Sequence, residues 1–127
     1  MLIRDIAQIL QAAGIGSIGS NIFLGQLPAS PDSAVVLYPT GGYPQLLPLP
    51  DIKATAQVLV RDTNYQAGYS RIWQIFNLLD KGSSRFLQAP SGRKMVVQAK
   101  QPPEFLERDE SNRCIFVFNL DVWTDRD

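Results

Sequence analysis

Gly14-Ile15-Gly16-Ser17-Ile18-Gly19 spells G-x-G-x-x-G, the spacing by which a glycine-rich turn cradles a pyrophosphate. That chemistry needs a strand before the turn and a helix after it, so that the helix N-terminus faces the phosphates. Here a helical pattern comes first and an extended segment follows. The glycines therefore read as a helix stop and a flexible turn. Glu104, Glu107, Asp109 and Glu110 are close enough in sequence to suggest a metal site or a glycosidase pair. By strand parity, however, Glu104 and Glu107 fall on opposite sides. Asp109 and Glu110 fall in a turn that lacks the ligand spacing of a calcium loop. A solvated hairpin tip is the better reading. Cys114 heads an apolar strand face and has no histidine anywhere to activate it, so it reads as a small buried hydrophobe. Tyr65, Tyr69, Trp73 and Phe76 make an aromatic stripe that can stack on bases, yet at helical spacing with few cations nearby it reads as core. No catalytic residue, metal ligand or cofactor site is assigned.

The composition narrows the classes further. The 127 residues contain no histidine, which removes the commonest general base and metal ligand together. Twelve basic and twelve acidic residues cancel, so net charge calls for neither nucleic acid nor an anionic membrane. A single cysteine excludes an internal disulfide, and no apolar run approaches the roughly 20 residues of a membrane span. Arg4, Asp5 and Gln8 interrupt any signal-peptide core. A product made in the cytoplasm is expected.

Charge is segregated along the chain. Lys81, Arg85, Arg93, Lys94 and Lys100 lie in a stretch with no acid, whereas Glu104 to Asp127 holds seven acids against three bases. Opposite-signed edges suit head-to-tail contacts between copies. Arg85, Arg93 and Lys94 are accordingly expected to face Glu107 and Glu110 of a neighbour.

The elements follow from periodicity. Leu2, Ile6, Ile9, Leu10 and Ala13 share one helical face and Gly14 ends the helix, giving residues 2–13. Ile22–Leu24 and Ala34–Tyr38 read as strands. Pro39–Pro50, with Gly41, Gly42 and three further prolines, reads as an irregular loop, and Gly41, Gly42 and Tyr43 are expected at a partner contact. Ala54–Arg61 alternates as a half-buried strand, and Asp62 or Asn64 caps a helix in which Tyr65, Tyr69, Ile72, Phe76 and Leu79 recur. Strands follow at 85–89, 94–100, 105–108 and 113–123. Val58, Val60, Ile72, Phe76, Phe116 and Phe118 are expected to be buried together. The fold class is α+β: a mainly antiparallel sheet with two helices packed against it, as a single domain over residues 1–127.

Three segments resemble a family of small bacteriophage proteins, the minor capsid proteins and tail terminators of long-tailed phages. They are Leu2–Ala7 through Asn21–Gly25, the unit Ala56–Asp62 followed by Tyr65 and Tyr69, and Gln101–Asp109 leading to Phe116–Val122. The resemblance implies a virion protein of the tail or neck, made in the host bacterial cytoplasm and carrying no catalytic residues. It implies a homohexameric ring on the head-proximal end of the tail tube, with the tube protein and a head–tail connector as partners. No membrane and no sequence-specific nucleic acid are expected. Two other readings compete: a different neck protein, and a small cytosolic module that holds a peptide or ligand with the 39–50 loop. An enzyme working with carboxylates alone ranks last.

Overall fold

A computed structural model describes residues 1–44, 51–80 and 86–127. The elements are α1 (Leu2–Ala12), β1 (Ile22–Leu24), β2 (Ala34–Gly42), β3 (Asp51–Asp62), α2 (Tyr65–Leu79), β4 (Leu87–Gln88), β5 (Lys94–Ala99), β6 (Glu104–Arg108) and β7 (Cys114–Asp125). The seven strands form one sheet in the order β1-β2-β3-β7-β5-β4, and β6 also pairs with β7. Both helices pack on one face.

α1 buries Ile3, Ile6, Ala7 and Leu10. Its end confirms the glycine reading: Gly14 takes φ +82, its amide donates to Gln11, and the Ile15 amide donates to Leu10. This is the Schellman arrangement, and the buried Ile15 supplies the apolar contact that accompanies it. Asn64 caps α2 by accepting the Ala67 amide at 3.0 Å.

α2 differs from expectation in which face it buries. Gly68, Ile72, Ile75 and Leu79 point into the core, while Tyr65 and Tyr69 remain about half exposed. Gly68 is the reason. A Cβ there would lie 2.8 Å from the Phe116 ring, so only glycine lets the helix settle this closely on β7. The aromatic row is turned to the rim, where Trp73 and Phe76 are partly buried against the core. Val58, Val60, Ile72, Phe116 and Phe118 are buried together in one cluster, as expected, with Phe76 at its margin.

The alternation of β7 holds along its length. Cys114, Phe116, Phe118, Leu120 and Val122 enter the helix-covered core, whereas Ile115 and Val117 join Val36 and Leu59 in a second cluster on the opposite face. Phe23, Leu27 and Tyr38 pack on that second cluster.

Three expectations need adjustment. The sheet is mainly antiparallel, as expected, but it is mixed, because β1 runs parallel to β2. The connection over residues 25–33, whose Leu27 packs on the second cluster, carries the chain back so that Val35 lies beside Ile22. Second, residues 39–42 belong to β2 and pair with Ala54–Ala56 of β3 through a bulge after Pro39. Among the described residues no strand lies on the β1 side of β2 beyond Leu37, so a residue lacking an amide donor is tolerated there. Residues 45–50 of the expected loop lie outside the described residues. Third, a bulge at Leu106 sets both Glu104 and Glu107 opposite face-two residues, Val117 and Ile115. One extra residue reverses strand parity, so the two acids share a side.

Candidate subunit interface

The expected contact residues fall into separate places on the described structure; Arg85 lies outside the described residues. Arg93 is taken up within the chain. Its Nε donates to Asp5 at 2.7 Å, its Nη1 to the Asp125 carbonyl at 2.7 Å, and its Nη2 pairs with Asp127. Ser91 donates to the other Asp5 oxygen at 2.8 Å. The turn between β4 and β5 is thereby fastened to α1 and to the end of β7. Lys94, one residue on, is exposed.

Gly41, Gly42 and Tyr43 come together with Lys100 of the basic stretch and with Lys53, Asp121 and Trp123, which the sequence reading did not single out. Gly41 takes φ +94, and a Cβ on Gly42 would lie 2.5 Å from the Lys53 carbonyl, so both glycines are required for β2 to close on β3. The Lys53 ammonium sits 4.1 Å from the Tyr43 ring centre and 4.7 Å from that of Trp123. The Tyr43 hydroxyl donates to Asp121 at 3.2 Å, and Lys100 pairs with the same carboxylate at 3.6 Å. Hydrogen bonding to Tyr43, with help from Asp121, holds Lys100 above its ordinary pKa. Strand parity is the signal that was available: Trp123 and Asp121 lie on the side of β7 away from the helices.

Glu107 and Glu110 lie at the other end of β7, on the exposed β6 hairpin. Its turn is organised by Asp109, which accepts the Ser111 and Arg113 amides at 3.0 and 2.9 Å and the Arg113 Nε at 2.8 Å. Asn112 takes φ 63 in the turn, a conformation that asparagine tolerates better than most residues. Chiefly through the Arg113 backbone bond, the Asp109 carboxyl is held below the usual aspartate range. Asp109 is therefore spoken for, whereas Glu104, Glu107 and Glu110 present their charge outward.

Two arginines beside this hairpin were not anticipated. Arg113 reaches the Ala29 carbonyl at 2.6 Å and Asp32 at 3.3 Å, while Arg61 reaches the carbonyls of Pro31 at 2.5 Å and Asp32 at 3.2 Å. They pin the 25–33 connection over the second cluster. Burial lowers the pKa of Arg61, and the nearby Arg113 guanidinium lowers it further. Arg61 is only 2% exposed although its strand position reads as polar; its methylene stem fills space while its head satisfies carbonyls.

Face two thus carries lysines and aromatic rings at one end of β7 and, at the other, glutamates with no ion pair among the described residues. Among the described residues there is no cluster of metal-ligand type and no helix long and apolar enough to cross a membrane. An arrangement of this kind can recognise a surface of complementary charge. Comparison with curated proteins returns no match. The family described as bacteriophage tail terminator protein matches residues 9–125, and the chain belongs to that family, which makes it a structural component of a phage tail.

Proposed function

We propose that this protein is a tail terminator subunit that closes into a homohexameric ring on the head-proximal end of the tail tube and joins it to the neck. The family match over residues 9–125 carries this reading. The distribution of charge supports it. A ring needs a heterologous interface, in which one patch meets a different patch on the next copy. The outward glutamates Glu104 and Glu107, opposite Val117 and Ile115, lie roughly 25–35 Å along β7 from the exposed Lys94, and Glu110 lies beyond them at the turn. The role is structural: the subunit binds its own copies, the tube protein and a connector, and it needs no catalytic group or cofactor.

Arg93 is better left out of the neighbour contact, because Asp5 and Asp127 already occupy it. Lys94, Glu107 and Glu110 are the residues to test. The decisive measurement is mass in solution together with electron microscopy of purified protein, alone and with tube protein. Rings that halt tube growth at one end are expected; a monomer that leaves tube length unchanged would overturn the reading. Lys94→Glu should weaken ring formation at low salt, and Glu107→Lys should restore it in the double variant. Since rim charges contribute only about 0–1 kcal/mol each, the effect should fade at high salt.

A further inference from the structure

Parts of the sheet's edge are closed from within, whereas among the described residues β6 and the end of β2 beyond Leu37 are left open. On β1, Ile22 donates its amide to the Ser17 carbonyl at 3.1 Å and accepts the Gly19 amide at 2.9 Å. The outer side of β5 carries β4, and beyond β4 the Asp80 carboxylate accepts the Ala99 amide at 3.0 Å. All five residues of β6 are exposed, and among the described residues no backbone bond reaches its outer side.

Over that open edge stands the rim of α2. The Tyr65 ring lies 5.5 Å from Phe105 and 5.1 Å from Phe116, and Tyr69 stacks 6.4 Å from Tyr65. Tyr65 is 45% exposed, Tyr69 49%, Phe105 41% and Leu106 53%. Strand and helix form two walls of an open groove. Extended chains bind such grooves as an added strand, with backbone bonds to the edge and alternate side chains against the helix.

We infer that a second copy of this chain lays an extended segment along β6, so that the sheet of one subunit continues into the next. This rests on the ring reading and names the surface that makes the ring. Charge identifies the occupant as another copy. Along the same edge Glu104 and Glu107 stand on the face away from α2, with Glu110 at the turn, while the exposed Lys94 that suits them lies at the far end of β7. Those groups can meet only between subunits. An edge left open with Phe105 and Leu106 upon it is an aggregation hazard unless assembly covers it.

Amide hydrogen exchange on the full chain tests this, comparing free subunit with assembled ring. Arg108 supplies the diagnostic amide: its neighbour Asp109 donates to Arg113 across the hairpin, and alternate amides of a paired strand point away from the partner. The Arg108 amide should exchange at least tenfold more slowly in the ring. Arg108→Pro, which removes that donor on the outer side together with the exposed side-chain bond to the Asn112 carbonyl at 3.2 Å, should lower the thermal midpoint of the subunit only slightly and raise the concentration needed for assembly tenfold or more. Phe105→Ser, which leaves the backbone donors in place, should weaken assembly in the same direction. Rings in which β6 amides exchange as fast as in the free subunit would overturn the inference while leaving the ring reading intact. Failure of the wild-type chain to form rings at all would remove both. Protection that appears only when tube protein is added would assign the groove to that protein and overturn the second-copy assignment.

Discussion

β5 and β6 lie side by side along the same flank of β7, one against Leu120–Thr124 and the other against Cys114–Val117, yet they are finished differently. β5 is closed: β4 covers its edge, Asp80 binds its last amide, and Arg93 ties its leading turn to α1 and to the end of β7. β6 is held on one side by its pairing with β7 and at its turn by Asp109 and Arg113, and presents every residue to solvent. One half of this flank is built for stability and the other is left for contact. Substitutions in the two halves should therefore be read out by different measurements.

Phe118 lies on β7 between the two halves, fully buried, with Phe76 edge-on at 5.5 Å. Phe118→Ala should cost about 3–5 kcal/mol in urea unfolding. A loss under roughly 1 kcal/mol would mean that α2 does not close the core. On the closed side, Arg93→Met takes the guanidinium from the buried Asp5 carboxylate, leaving it the Ser91 hydroxyl, and should cost about 3 kcal/mol. Gly68→Ala forces a methyl group into the Phe116 ring and should cost about 1–3 kcal/mol, with a further effect on assembly because Phe116 supports Tyr65. On the open side, Glu107→Gln should change subunit stability by no more than about 0.5 kcal/mol while still altering the salt dependence of assembly. If Glu107→Gln destabilises the subunit as much as Arg93→Met does, the division between the halves is wrong.

The smallest effect concerns pH. The folded pKa of Asp109 is depressed, so its contribution to the hairpin is present above the ordinary aspartate value of about 3.9. It is lost as pH falls through the lower folded value. Acid titration followed by exchange at Ser111 and Arg113 should show this hairpin loosening in that window, and Asp109→Asn should abolish the dependence.

Much of the fold was legible because single rules acted without interference. The helix stop at Gly14, the Asn64 cap and the two-residue period of β7 each depend on local chemistry alone. The misses arose where one residue was governed by something distant. Pro39 reads as a strand breaker unless β1 is known to stop at Leu24. The side on which Glu107 falls depends on a bulge that no residue type announces. Gly68 looks like a weakness in a helix until Phe116 is placed beneath it. For the candidate interface, the charge asymmetry was visible, but not that Arg93 spends its charge on Asp5. The cage around Lys53 combines three strand ends, and no spacing within one segment reveals it.

The position of β7 has a consequence for synthesis. It follows every other described strand, yet β3, β5 and β6 all pair with it. Arg113, near its start, also holds the carbonyl of Ala29, a residue 84 positions earlier. As the ribosome extends the chain, α1, β1 and β2 emerge early, but their sheet lacks its central strand until β7 has left the exit tunnel. Folding of the whole molecule therefore waits for translation of its C-terminal segment, and its many long-range pairings make it slow for its size. Nascent chains stalled before residue 114 should remain sensitive to protease throughout, including α1 and β1, and resistance should appear in one step once β7 is free.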